Sequence, residues 1–83
     1  MVDLEKLKTF MQTYLRNAGK KLSFVLSEAG IPRANYYNRM KGKGEFTASE
    51  MYGIKKATEM SEDDFRNIFF ANAAEYNSAS VVS

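Results

Sequence analysis

Apolar residues recur every three or four positions near the start of the chain, a spacing typical of a helix with one buried face. Residues 3–17 read DLEKLKTFMQTYLRN. The apolar residues that share this face are Leu4, Leu7, Phe10, Met11, Tyr14 and Leu15. Asp3 can cap the start of the helix, and Gly19 stands where helices commonly end through a left-handed residue. The pattern therefore predicts an amphipathic first helix.

The second apolar run, LSFVLSEA at residues 22–29, is eight residues long and stops at Gly30. The spacing of Leu22, Val25 and Leu26 favours a short helix. A buried strand would also accommodate so short a run. We expect a helix here, joined to the next element by a glycine turn.

Signals for the start of a helix mark the remainder of the chain. Pro32 suits a first helical turn, because it lacks the amide hydrogen that would be unpaired there. Thr47 and Glu50 form a capping-box pattern, and Ser61 and Asp64 form its weaker aspartate version. These signals predict helices over residues 33–41, 47–58 and 62–74. The residues that the last two helices would bury are Met51, Ile54, Ala57, Phe65, Ile68 and Phe69.

Five helices without a convincing pair of strands predict an all-α fold, a compact five-helix bundle. The chain has 83 residues, of which 45% are hydrophobic, and this is enough for one core. We expect a single domain over residues 1–74. Residues 75–83 are polar and small, which predicts a flexible tail.

The composition excludes several classes of function. The chain contains no histidine and no cysteine, so it lacks the commonest general base and the usual zinc ligands. Its carboxylates are scattered mainly over helix starts, and no catalytic constellation can be assembled from them. We therefore expect no enzyme activity, no metal, no cofactor and no small-molecule ligand.

The same composition bears on location. No segment approaches the roughly 20 apolar residues that a membrane helix needs. The first residues alternate between charged and apolar types too early for a signal peptide. Together with the lack of cysteine, these features predict a cytoplasmic protein without a membrane partner.

The net charge of +2 conceals an uneven distribution. Residues 16–43 contain seven bases and one acid, a net charge of +6, whereas residues 44–83 contain three bases and seven acids, a net charge of −4. Such an arrangement directs one end of the molecule toward a polyanion. A solvated charged face without a partner would leave the same pattern.

Residues 21–42 match a helix-turn-helix unit, in which two short helices are joined by a tight turn containing glycine. Gly30 supplies the turn, and Ile31 would anchor it in the core. At about 100° per residue, Tyr36 and Met40 fall on an inward arc of the second helix. The opposite, outward arc contains Arg33, Ala34, Tyr37, Asn38 and Lys41.

The outward arc has the side chains that read base edges in the major groove. Arginine pairs with guanine O6 and N7, and asparagine suits adenine N6 and N7. Ala34 can approach a thymine methyl group. We therefore predict base contacts from all five residues of the outward arc, although basic residues on a helix are more often simply solvated.

A second set of residues flanks this helix pair and suits the phosphate backbone. Lysines near helix ends add point charges, and helix N-termini offer free amides. Such contacts position a domain without specifying sequence. The predicted phosphate contacts are Lys20, Lys21, Ser23, Asn35, Lys43 and Thr47.

The stretch AGIPRANYYNRMKGKGEFTASEMYGI, followed by MSEDDFRNIFF, resembles the lambda-repressor-like helix-turn-helix family, specifically the small Cro-like regulators of bacteriophages. The family has a glycine turn, a recognition helix ending in a basic-apolar-polar-glycine run, a Phe-Thr helix start and a closing Ile-Phe-Phe. The matching residues are Gly30, Arg39-Met40-Lys41-Gly42, Phe46-Thr47, Glu50-Met51 and Ile68-Phe69-Phe70. The resemblance covers about residues 4–72.

The resemblance implies a transcriptional regulator, usually a repressor, in the genetic switch of a phage or prophage. Such proteins usually act as homodimers on palindromic double-stranded DNA. The family generally has a small alanine five residues into the motif and a larger aliphatic residue before the turn glycine. This chain has Leu26 and Ala29 at those places, which implies a shift in how the two helices pack.

The last predicted helix offers Phe69 and Phe70 as contacts to a second copy, because one helix face cannot bury Ile68, Phe69 and Phe70 together. Phe70 could equally fold back onto the first helix. An alternative function is a helical protein-interaction module, such as an antirepressor or adaptor, that does not read DNA. Its surface would be apolar, whereas the outward arc is polar and cationic.

Overall fold

Five α-helices account for most of residues 1–71, the part of the chain that the computed structural model describes. The helices are α1 (Leu4–Ala18), α2 (Leu22–Ala29), α3 (Arg33–Met40), α4 (Ala48–Thr58) and α5 (Glu62–Phe69). No strand is present within these 71 residues. The predicted all-α class is therefore confirmed, and the apolar run at residues 22–29 is a helix rather than a strand.

Local signals in the sequence define where the helices start. The carboxylate of Asp3 accepts a hydrogen bond from the Lys6 amide and caps α1. At α4, Thr47 and Glu50 form both hydrogen bonds of the predicted capping box. The Ser61 hydroxyl caps α5 by accepting from the Asp64 amide. Each cap satisfies an amide that would otherwise have no partner at a helix terminus.

Two of the predicted helix ends need correction. Helix α3 ends at Met40, and Lys41 forms its C-terminal cap rather than its last turn. Helix α5 ends at Phe69, because Phe70 leaves the helical conformation with φ −131° and ψ 38°. The prediction that this helix continues to 74 is thus wrong at Phe70. Residues 72–74 of that prediction and the tail predicted over 75–83 lie outside the described residues.

The helices surround one hydrophobic core. Its buried residues are Leu7, Met11, Val25, Leu26, Ile31, Tyr36, Phe46, Ile54, Met60, Phe65, Ile68 and Phe69. Met51 and Ala57, which we expected to be buried, are half-buried and pack against this core. The amide of Asp3 donates to the carbonyl of Ile68 over 2.7 Å and ties the start of the chain to α5.

Helices α2 and α4 approach each other closely at Gly53. A Cβ atom added to Gly53 of α4 would lie 2.4 Å from the carbonyl oxygen of Ala29 in α2. The two backbones are therefore in direct contact, which needs glycine at position 53. Ala29 meets α4 through its backbone, and the larger Leu26 fills the core one turn earlier with 1% of its surface exposed.

Candidate nucleic-acid interface

The turn between α2 and α3 orients the outward arc. Gly30 ends α2 in the left-handed conformation with φ 74°, and its amide donates to the carbonyls of Leu26 and Ser27. The Ile31 amide also donates to Leu26 over 2.9 Å, and its side chain is only 4% exposed. Pro32 then forms the N-cap of α3. Because the turn is bonded to α2 and anchored in the core, α3 has a defined direction.

All five residues of the outward arc are exposed to solvent, as predicted from the helical period. Tyr36, on the opposite side of α3, is buried, and Met40 is half-buried against the core. The outward face of α3 bears two positive charges, from Arg33 and Lys41, and no acid. Such a face can donate hydrogen bonds and attract anions.

Arg33 and Tyr37 interact one turn apart on that face. The Arg33 Nη2 donates to the Tyr37 hydroxyl over 3.4 Å, and its Cζ lies 5.7 Å from the centre of the Tyr37 ring. Residues four apart are neighbours on a helix surface, and a guanidinium is attracted to an aromatic face. The first cation of α3 is therefore oriented before any ligand arrives.

Tyr36 supports the arc from inside. Its ring contacts Phe46 edge-on at 6.3 Å between centroids and contacts Tyr37 edge-on at 5.9 Å. Burial raises the pKa of Tyr36 to about 12, with a smaller contribution from Tyr37. The Tyr36 hydroxyl therefore stays neutral and adds no charge beneath the outward face.

Lys20, a predicted phosphate contact, is largely engaged within the chain. Its ammonium lies 3.7 Å from the Glu28 carboxylate and over the rings of Tyr14 and Phe24, at 5.9 and 5.4 Å from their centres. A hydrogen bond with Tyr14 raises the pKa of Lys20; desolvation opposes this shift and Glu28 adds to it. The side chain therefore stays protonated, but it is less available to a phosphate than the sequence suggested.

The other predicted phosphate contacts differ in their availability. Lys21, Ser23 and Lys43 are exposed, whereas Asn35 is half-buried. The Thr47 hydroxyl already accepts from the Glu50 amide at the start of α4, which leaves its own proton free to donate. The lysines and Ser23 are therefore the accessible members of this set.

The loop after α3 folds back onto the end of that helix. The Gly42 amide donates to the Arg39 carbonyl over 3.0 Å, and the Lys43 amide donates to the Asn38 carbonyl over 2.8 Å. Gly42 and Gly44 take positive φ angles of 82° and 80°. These bonds place Lys43 beside the C-terminal end of the outward arc.

Arg39 is a residue that the sequence reasoning did not assign to the site. Its Nε lies 3.3 Å from Oε1 of Glu50, and the same oxygen accepts the Thr47 amide over 2.9 Å. The capping-box pattern in the sequence predicted the role of Glu50 at the start of α4. No local pattern could connect it with Arg39, because the two side chains meet only when α3 and α4 pack.

The two phenylalanines proposed as contacts to a second copy have different environments. Phe69 is only 1% exposed and belongs to the core, so it is not available to a partner. Phe70 is 37% exposed and its ring contacts Phe65 at 5.6 Å. Phe70 also lines a groove of about 380 Å³, together with Met1, Val2, Leu4, Arg39, Gly42, Gly44, Glu45, Phe46, Met51 and Phe69.

The chain was compared with protein families, with curated proteins and with solved structures. Neither models of protein families, nor curated proteins, nor solved structures gave a match to the chain. Within residues 1–71, every helix is too short or too polar to cross a membrane.

Proposed function

We propose that the protein is a sequence-specific DNA-binding transcriptional regulator whose helix-turn-helix is formed by α2 and α3. The observation that carries the proposal is the acid-free, solvent-facing arc of α3, which follows directly after a turn anchored in the core. Helices presented in this way enter the major groove and contact base edges. The resemblance to Cro-like proteins supports the more specific proposal of a repressor in the switch of a phage or prophage, acting in the cytoplasm of the host.

In this function, different residues of the outward arc contact different bases. Arg33, held against Tyr37, suits the two acceptors of guanine, and Asn38 suits adenine. Ala34 leaves room for a thymine methyl group between them. Tyr37 and Lys41 extend the donor surface toward the C-terminal end of α3.

Contacts to phosphate would hold this helix in the groove. Lys21 and Ser23 lie at the start of α2, and Lys43 lies in the loop after α3. These positions flank the outward arc at both ends, as backbone contacts do when they position a recognition helix. Lys20, Asn35 and Thr47 would contribute less, since their side chains are partly engaged or partly buried.

A single module makes few phosphate contacts, and we propose that two copies bind a palindromic operator. Their recognition helices would lie about 34 Å apart, one turn of the duplex, on one DNA face. Phe70, an exposed apolar residue that lines the groove, would contribute to such a pairing.

Substitution of Arg33 and of Lys43 tests the two kinds of contact. Arg33→Ala should weaken binding to a duplex selected from a random pool by about 1–3 kcal/mol and relax the preference at one base pair. Lys43→Ala should weaken binding to all duplexes alike and reduce the salt slope by about 1. Fluorescence anisotropy over several salt concentrations measures both quantities.

Lys8→Ala provides the control, because Lys8 is an exposed cation on α1, outside the helix pair. It should leave base preference unchanged and alter affinity less than Lys43→Ala does. The proposal fails if Arg33→Ala and Lys43→Ala both bind every duplex as the parent protein does, with an unchanged salt slope.

A helical interaction module is the second candidate function. The groove beside Phe70 favours it, because its apolar lining is the kind of surface that binds another protein. Absence of any affinity for duplex DNA at about 50 mM salt, where nonspecific binding is strong, would select this function.

A further inference from the structure

Arg39 is a cation of α3 that points away from the outward arc. Its Nε lies 3.3 Å from the carboxylate of Glu50, and the two side chains are only 22% and 12% exposed. An ion pair shielded to this extent is less screened by salt than an exposed one. Arg39 is therefore committed within the molecule, unlike Arg33 and Lys41.

The guanidinium of Arg39 lies directly against the loop that follows α3. A Cβ atom added to Gly44 would come within 2.6 Å of the Arg39 Nη1. Because Gly44 has no side chain, the loop backbone can lie on the guanidinium. A Cβ atom added to Gly42, in contrast, would have no atom within 4 Å. Of the two loop glycines, only Gly44 lies against the Arg39 guanidinium, and this contact adds to the backbone hydrogen bonds from Gly42 and Lys43 to the end of α3.

The Glu50 carboxylate connects this support to α4. Its Oε1 accepts the Thr47 amide over 2.9 Å while facing the Arg39 Nε at 3.3 Å. One oxygen atom thereby links the end of α3 to the start of α4. The segment between these two helices, residues 41–47, contains Lys43.

We infer that Arg39 is a positioning residue: its ion pair with Glu50 and its contact beneath Gly44 hold the loop so that Lys43 faces the phosphate backbone. The inference rests on the proposed DNA-binding function. It assigns Arg39 an effect on affinity without a contact to DNA. It also assigns the acidic Glu50 a favourable effect on binding to a polyanion.

That last consequence can be tested, because simple electrostatics predicts the opposite. Glu50→Gln removes a negative charge and keeps an oxygen for the Thr47 amide, but it leaves Arg39 without its ion pair. If Arg39 positions the loop, this variant should bind DNA about three- to tenfold more weakly, with a salt slope lower by about 1. Removal of an acid by itself would strengthen binding to DNA.

Glu45→Gln is the matched control, since Glu45 is an exposed carboxylate in the same loop. It should bind a mixed-sequence 25-base-pair duplex (a length of about two and a half helical turns) as tightly as the parent or more tightly. Anisotropy titrations at several salt concentrations, with helical content checked by circular dichroism, measure the difference between the two variants.

A second pair of variants changes no charge. Gly44→Ala and Gly42→Ala impose the same strain, because both residues have a positive φ near 80°. Only at Gly44 would the new Cβ atom meet Nη1 of Arg39, at 2.6 Å, so that the guanidinium has to move away from the loop. It should therefore weaken DNA binding about threefold or more beyond the effect of Gly42→Ala.

The outcomes separate this inference from the proposed function. If the parent protein fails to bind the duplex at low salt, the proposed function itself is wrong. If the parent binds but Glu50→Gln binds as tightly as Glu45→Gln, or the two glycine variants bind equally, the positioning role of Arg39 is refuted. If Glu50→Gln does not fold, the difference in DNA affinity between Gly44→Ala and Gly42→Ala still tests the positioning role of Arg39.

Discussion

Glu59 occupies a backbone conformation that usually belongs to glycine. It ends α4 with φ 54° and ψ 38°, and its amide donates to the carbonyls of Lys55 and Lys56. Among residues 1–71, it is the one position with a positive φ that is not glycine. The left-handed region costs a residue with a Cβ about 1 kcal/mol. The left-handed conformation of Glu59 in the turn before α5 therefore lowers the free energy of unfolding.

Glu59→Gly should raise the free energy of unfolding by about 0.5–1 kcal/mol, because glycine adopts this conformation without the steric penalty. Urea unfolding followed by circular dichroism measures the change. Lys56→Gly is the matched control, since Lys56 is exposed within α4, and it should lower stability by about 1 kcal/mol. Equal losses in both variants would contradict the assigned strain.

At the scale of residues, the sequence predicted the side chains that follow a local rule. The helical period alone correctly placed the five residues of the outward arc in solvent and Tyr36 in the core. The pairing of Lys20 with Glu28 and that of Arg39 with Glu50 were not predicted. Both depend on rotamers or on the packing of separate helices, which no spacing along the chain specifies.

At the scale of elements, the contact between α2 and α4 depends on the absence of a side chain at Gly53. Helix interiors disfavour glycine, and replacing it with alanine normally stabilises a helix by up to about 1 kcal/mol. Here the added methyl group would meet the backbone oxygen of Ala29 rather than a flexible side chain. Packing therefore outweighs helix propensity at this position.

Gly53→Ala should lower the free energy of unfolding by about 2 kcal/mol, because α2 and α4 must move apart to admit the methyl group. Thermal unfolding followed at 222 nm (a wavelength sensitive to helix) gives the change in stability. Ser49→Ala, at an exposed position in the first turn of α4, should change stability by less than about 0.5 kcal/mol. A Gly53→Ala variant as stable as the parent would show that the two helices are not in close contact.

The starts of the helices were more predictable than the end of α5. Asp3, Thr47 and Ser61 act as caps through their own side chains, which is visible in the sequence. After Phe69, the chain continues with residues that tolerate a helix, but the Ile68 carbonyl accepts the amide of Asp3 instead. This bond joins positions far apart in the chain, so no local pattern could have indicated it.

At the scale of the whole molecule, two exposed aromatic rings lie outside the outward arc and share one buried neighbour. Tyr52 is 57% exposed and Phe70 is 37% exposed. Both rings contact the buried ring of Phe65, with 5.1 Å between ring centroids for Tyr52 and 5.6 Å for Phe70. Phe70 also lines the groove, whereas Tyr52 does not. This difference allows the role of Phe70 in association to be separated from its role in packing.

Phe70→Ser should reduce the complex with a selected palindromic duplex from two protein chains to one at equal protein concentration, because it removes the exposed apolar edge of the groove. Sedimentation velocity gives the number of chains per duplex. Tyr52→Ser, which removes the other exposed ring in contact with Phe65, should retain two chains. If Phe70→Ser also retained two chains, the pairing of copies would have to involve another surface.

Met1 lines the groove together with Gly42, Gly44 and Glu45, so the amino terminus lies beside the loop that contains Lys43. A purification tag left at that end would crowd the loop and could be mistaken for a loss of intrinsic affinity. An environment-sensitive dye coupled to the terminal amine would, for the same reason, report directly on the arrival of a duplex.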